Sequence, residues 1–216
     1  MIDQQPHRTT YARIALILIG LALGGLMGGC GSVEKADYTV LAEDGRFELR
    51  RYEPYIVAET TVDAGFDEAG DIAFDRLYGY ISGDNRTTDE IAMTAPVNQQ
   101  ARSEKIAMTA PVNQQPAGDQ YTVSFIMPAS YTMETLPQPN NPAVTLRRVP
   151  ARTMAALRYS GSWSRERYED HLAKLRSLLA EKDFDPIGDP VFARYDPPFK
   201  PSFLRRNEVL IPVEGE

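Results

Sequence analysis

The chain has 216 residues, with 30 Asp and Glu against 23 Lys and Arg, two His and a single Cys. A formal charge of −7 disfavours a nucleic-acid partner, whose phosphates select basic surfaces, and one cysteine excludes an internal disulfide framework. No GxSxG, HExxH, CxxC or glycine-rich phosphate loop occurs and the acids are scattered through turns and polar stretches, so no catalytic constellation can be named.

The front of the chain differs from the rest. Arg8 and Arg13 are followed by an apolar run over 14–27, then by Gly28, Gly29 and Cys30. That run is about 14 residues where a spanning helix wants roughly 20, so it reads as the apolar region of a secretory signal. Cys30 behind small residues resembles the bacterial lipobox, in which this cysteine is lipidated and becomes the mature N-terminus, although Met27 stands where the pattern prefers Leu. The expected organisation is a signal peptide at 1–29, a lipidated tether at 30–36 and one domain at 37–216; an uncleaved anchor and an ordinary secreted protein are the alternatives. The expected location is the cell envelope, anchored by lipid to a bacterial membrane. Gly31 in place of Asp favours the outer membrane, facing the periplasm.

After the tether, segments 38–41, 47–52 and 55–62 alternate or are β-branched, and Glu43-Asp44-Gly45 and Pro54 separate them as turns. They read as consecutive antiparallel strands. Over 66–81 the period changes, with Phe66, Ala69, Ala73, Leu77 and Tyr80 at steps of three and four and Gly83 as a stop. This is an amphipathic helix. A second line, Phe74, Tyr78 and Ile81, widens its apolar face beyond what one sheet contact requires.

The decapeptide IAMTAPVNQQ then occurs twice without change, at 91–100 and at 106–115. Two copies are too few for a stacked solenoid, so this is a local duplication inside one domain. Each copy has an apolar stretch, a proline (Pro96, Pro111) and a polar tail that reads as a turn, which suggests an added hairpin strand or a protruding loop. Lacking His, Cys, Asp and Glu, neither copy supplies a general base, a thiolate or a hard-metal site. Its Met and Thr side chains suit a soft apolar contact instead.

Further strands are expected at 121–127, 144–149, 154–159, 191–195 and 209–213. Ser164 caps a second helix running to Glu181, with Tyr168, Leu172, Leu175 and Leu179 inward. The order implies an α+β domain: a distorted antiparallel β-barrel or curved sheet of two pseudo-repeats flanked by two helices, with a concavity for a ligand. Once a signal is removed, His171 is the sole histidine, and it reads as a border residue of the second helix rather than an iron ligand. The strand methionines read as core, and Trp163 reads as a plug ahead of the second helix.

The stretches KIAMTAPV (105–112), SFIMP (124–128), YTMETLPQPNNPAV (131–144), ARYDPPFKP (193–201) and RRNEVLIPV (205–213) resemble the SOUL haem-binding protein family. Five motifs in order, over about 38–213, imply the family's two-repeat distorted barrel flanked by two helices. The resemblance also implies reversible, non-enzymatic binding of haem or another tetrapyrrole in a shallow apolar cleft beside the first helix, without a universal axial ligand. Carried onto this chain, Phe74, Leu77, Tyr78 and Ile81 would pack on the macrocycle, while Lys200 and Arg205 would meet its propionates, with Arg206 acting similarly. Asp71 stands where some relatives carry a basic residue, and Tyr78 where an apolar Met is expected. Two other readings remain open. One is an envelope interaction module that uses the duplicated segment as its contact surface. The other is a binder of amphipathic small molecules like the related GyrI-like domains, which would place an acid such as Glu59 or Asp71 inside the cleft.

Overall fold

The structure, a computed structural model, describes residues 33–87 and 103–215. The signal region, Cys30 and the first IAMTAPVNQQ copy lie outside the described residues. In chain order the elements are β1 (Tyr38–Asp44), β2 (Phe47–Tyr52), β3 (Tyr55–Val62), α1 (Phe66–Ile81), β4 (Asn85–Arg86), β5 (Val112–Ala117), β6 (Gln120–Ile126), β7 (Gln138–Pro139), β8 (Thr145–Val149), β9 (Arg152–Tyr159), α2 (Arg165–Glu181), β10 (Val191–Arg194) and β11 (Asn207–Pro212). Nine strands form one antiparallel sheet in the order β1-β2-β9-β11-β10-β5-β6-β3-β8, and β4 pairs with β7. The sheet curls into an open half-barrel with two helices packed on it, the expected α+β class.

Both helices sit on the same sheet face. Ala69, Ala73, Leu77 and Tyr80 of α1 pack on Ile56, Ala58, Val123 and Phe125, while Tyr168, Leu172, Leu175 and Leu179 of α2 pack on Leu49, Leu157, Phe192 and Ile211. Phe66 joins the two layers, stacking on Tyr168 at 5.4 Å and on Phe192 at 5.6 Å. The starts of the helices follow their sequences. Asp67 and Glu68 lie in the first turn of α1, where acids complement the helix dipole, and the Ser164 hydroxyl caps α2 by accepting from the Arg167 N–H.

The second IAMTAPVNQQ copy is built into this core instead of protruding. Ile106, Thr109 and Ala110 are buried, the Ile106 N–H donates to the Ile81 carbonyl, and the Thr109 hydroxyl donates to the Ile126 carbonyl. Its polar tail, expected as a turn, is strand β5 in the middle of the sheet. The polarity is explained by satisfaction: buried Gln114 donates to the Phe66 carbonyl at 2.7 Å and accepts from Arg194 at 2.7 Å. Asn113 and Gln115 face a polar groove on the opposite side of the sheet.

That opposite face carries a buried ion pair. Arg50 on β2 makes a two-pronged contact with Glu208 on β11, at 2.7 and 2.9 Å, and both side chains are fully buried. Tyr195 and Arg206 also donate to Glu208, and Glu48 accepts from Arg50. Burial alone would push the Glu208 carboxyl up, but hydrogen bonds and charge from Arg50, with Arg206 and Tyr195, outweigh it and hold its pKa at about 2.

Two outcomes follow. Glu208→Gln leaves the buried Arg50 charge with only the partly exposed Glu48 to balance it, so urea titration should show a loss of about 3 kcal/mol, the low end for breaking a buried pair. Because the folded carboxyl titrates below its ordinary 4.5, its contribution is complete above that pH and disappears as pH falls towards about 2. The variant should therefore lose less stability than the parent across that acid window, and equal acid slopes would contradict the assignment. Second, deleting 91–105 brings Asp89-Glu90 into the places of Glu104-Lys105 ahead of the remaining copy. The second copy by itself supplies the buried Ile106 and Ala110, so the shortened chain should keep one cooperative thermal transition, and loss of that transition would show that the core draws on 91–105.

Candidate functional site

An apolar cleft of about 600 Å³ opens beside α1, within the range of small-molecule sites. Five separated stretches of the chain build it, the first of them Val33. Gly70, Asp71, Phe74 and Asp75 of α1 form one wall, and Met108 to Ala110 of the repeat form the next. Trp163 and the Pro197-Pro198-Phe199 turn face them, with Arg194 and Tyr195 beneath.

Of the residues singled out on α1, Phe74 lines the cleft. Partly exposed, it packs edge-on against Phe125 at 5.4 Å and lies parallel to exposed Tyr78, 5.8 Å away at 10°. Tyr78 is thus held beside the cleft by its neighbour rather than within the lining. Leu77 and Ile81 are elsewhere: both are buried in the core between α1 and the sheet. Leu77 follows Ala73 by one turn and continues the sheet-facing stripe, while Ile81 lies almost two turns beyond Phe74, where Ile106 covers it. They support the helix and do not reach the opening.

The basic residues also differ from expectation. Lys200 is paired with Asp196 at 2.6 Å. Arg205 donates to the Lys200 and Pro198 carbonyls and lies 4.4 Å from the Trp163 ring, so it braces the loop. Arg206 is taken by Glu208. The basic group in the lining is instead Arg194, which donates to Gln114 and is surrounded by the rings of Phe66, Phe192 and Trp163 at 6.0, 5.0 and 5.4 Å. Burial lowers its pKa, opposed by the charges of Asp71 and Asp67. Gly70 makes this placement possible, since a Cβ there would stand 2.8 Å from the Arg194 Nη1. A glycine in the middle of a helix was the sequence signal for such a close approach.

The acids are asymmetric as well. Asp71 and Asp75 line the cleft, whereas Glu59 sits in the polar groove across the sheet, in a two-pronged pair with Arg147 at 2.7 Å. Asp196 accepts from the Lys200 ammonium and, at 2.5 Å, from the Arg206 N–H; burial would raise its pKa, but these bonds bring it below the ordinary value.

Residue types that ligate haem iron are sparse here. Among the described residues no group of three or more His, Cys, Asp or Glu is placed to hold a metal ion. His171 is on α2, stacked on Tyr159 at 3.9 Å with its Nδ1 bonded to the Arg167 carbonyl, and burial lowers its pKa. In the lining, Tyr195 commits its hydroxyl to Glu208, and burial raises its pKa well above the usual phenol value. Met108 is partly exposed at the cleft and presents a thioether. Trp163, expected as a plug, is both: its Nε1 donates to Asn207 while its ring lines the opening.

Comparisons with known proteins agree on the family. The chain is 28% identical over 197 residues to Heme-binding protein 1 of Xenopus tropicalis, covering 89% of this chain and 97% of that protein. It is 26% identical over 185 residues to Heme-binding protein 2 of Mus musculus, covering 84% and 85%. Among solved structures, the EcmrR C-terminal domain superposes with a TM-score of 0.55 at 12% identity, covering 83% of this chain and 99% of that one. A hydrolase from Listeria innocua gives 0.53 at 11% identity, with 81% and 94% covered. At these identities the two structures speak to the fold alone. The family model for SOUL heme-binding protein matches residues 33–212, nearly the whole described domain, and the chain belongs to that family.

Proposed function

We propose that this protein binds haem or a related tetrapyrrole reversibly in the cleft beside α1, without catalysing a reaction, as a lipid-anchored protein of the bacterial cell envelope. The observation that carries the reading is the cleft itself: about 600 Å³, walled by Phe74, Trp163, Phe199 and Met108, with a cation, Arg194, in its lining. Flat aromatic walls suit a macrocycle through stacking and area burial, and the family's members named Heme-binding protein 1 and 2 support the ligand class. Arg194 is the cation of the lining that a carboxylate would meet, while Lys200 lies outside the lining, paired with Asp196. Met108 offers a weak iron ligand. The anchor and the envelope location rest on the signal-like run and Cys30.

A second reading has its own support, since Asp71 and Asp75 place two carboxylates in the lining, and these favour an aromatic organic cation over a propionate. One substitution separates the two. Asp71→Asn removes a negative charge, so haemin should bind about two- to fivefold more tightly and an aromatic cation more weakly by a similar factor, the scale of a partly screened charge. Haemin titration followed at the Soret band, with Phe74→Ser and Lys200→Ala alongside, should give a saturable one-to-one shift that Phe74→Ser weakens most. A shift no larger than that of an unrelated acidic protein would discard the tetrapyrrole. For the interaction-module alternative, the second repeat copy offers Met108 at the surface while Ile106 and Ala110 are held in the core. Deleting 91–105 should leave the haemin titration unchanged, and loss of a cellular partner with the cleft intact would favour that alternative.

A further inference from the structure

The loop joining β10 to β11 holds three apolar side chains in solvent: Phe199, Phe203 and Leu204 are 87%, 73% and 56% exposed. Isolated exposed apolar residues are ordinary, but this cluster shares a single short loop and continues into the apolar cleft through Phe199. The loop is not slack. The Lys200 N–H donates to the Pro197 carbonyl at 3.1 Å, the Leu204 N–H to Pro201 at 2.9 Å, and Arg205 Nε to Lys200 at 2.7 Å. Asp196 ties both ends through Lys200 and the Arg206 N–H, and Pro197, Pro198 and Pro201 fix their own backbone angles. A braced loop that keeps two phenyl rings and a leucine away from the body is preorganised for an apolar surface, because docking freezes little that is not already frozen.

A second observation says which surface. Val33 lines the same cleft as Phe199. Before it in the sequence come Cys30 and the apolar run over 14–27. The three residues from Cys30 to Val33 span at most about 11 Å when extended. Whether an acyl chain on Cys30 or the apolar run holds this protein to a bilayer, the attachment reaches the domain at the edge of the cleft, beside the exposed loop.

We propose that the 199–204 loop inserts into the outer layer of a lipid bilayer, so that the cleft beside α1 opens at the membrane surface and its ligand passes between lipid and protein without crossing bulk water. The insertion stands on the exposed loop and the position of Val33; only the exchange step rests on the tetrapyrrole reading. No anionic lipid is called for, because Lys200 and Arg206 are neutralised within the protein by Asp196 and Glu208.

The test uses the full chain bound to phosphatidylcholine vesicles whose acyl chains carry bromine, a short-range quencher of tryptophan. Phe203→Trp is compared with Ile187→Trp, an exposed site where the chain approaches β10 from the end opposite the loop, and Trp163 gives both the same background. Quenching at position 203 at least twice that at 187 is expected; equal quenching overturns the insertion. For exchange, haemin transfer from loaded vesicles is timed for the parent and for Phe203→Ser/Leu204→Ser, two positions outside the cleft lining. Transfer should slow about fivefold while the equilibrium Soret titration in solution stays unchanged. An unchanged transfer rate overturns direct exchange. Absence of any haemin binding would instead remove the ligand reading, and the quenching comparison would still decide the insertion.

Discussion

The Arg50–Glu208 pair is the interaction on which the outer half of the molecule depends. It spans β9, reaching from β2 to β11 across Ala156, whose small side chain leaves room for two long ones to meet. Withdrawing both charges from water costs several kcal/mol each, so the pair is tolerable only with its geometry complete. Both guanidinium prongs are used, Arg50 is further satisfied by Glu48 and Tyr52, and Glu208 by Arg206 and Tyr195. Those last two partners carry the constraint outward. Tyr195 lines the cleft, and the Arg206 N–H binds Asp196, which also holds Lys200. The lip of the cleft therefore inherits its position from a charge pair on the other face of the sheet.

The inner wall obeys a different rule, close approach. With no side chain at Gly70, α1 comes near enough to β10 for the Arg194 guanidinium to lie against the helix, bonded to Gln114 and surrounded by three aromatic rings. Burial of that charge is partly offset by Asp71 and Asp67, so one cation and the acids near it are set by mutual need rather than by a ligand. What faces the opening is then mostly apolar surface with opposite charges on two sides. Such a cleft orients an amphipathic ligand by where its charge falls, and obtains affinity mainly from area.

Much of the fold was legible because two periods carry it. The stripes Ala69-Ala73-Leu77-Tyr80 of α1 and Tyr168-Leu172-Leu175-Leu179 of α2 recur at helical spacing and face the sheet, and the Ser164 cap is where the sequence places it. Strand β5 was not legible, since Val-Asn-Gln-Gln-Pro-Ala has a single β-former, Val112, ahead of residues depleted in strands; it is a strand because Gln114 finds two partners inside and its neighbours face a polar groove. The site was read in part. The surplus line Phe74–Tyr78 did mark the side of α1 that lies open, whereas Leu77 and Ile81 belong to the core. Lys200 and Arg205 looked available because their partners, a carboxylate four residues earlier in a non-helical loop and two backbone carbonyls, leave no pattern in sequence. Arg194 and Trp163 meet α1 only through folding, and no local spacing announces that.

A cleft of this kind also constrains the kind of binding that the proposed function allows. The lining has one uncommitted thioether, Met108, and a tyrosine whose hydroxyl is already bonded, so a strong axial bond to iron has little to draw on. Affinity then comes from apolar contact, which is non-directional and scales with the surface removed from water. A lipid bilayer competes for a tetrapyrrole by the same physics, so transfer between the two is close to balanced and small differences in contact area set its direction. A protein that held the ligand through a strong metal bond would win that competition and keep its cargo. One that relies on Phe74, Trp163 and Phe199 can take it up and give it back, provided the cleft meets the membrane where the exchange occurs.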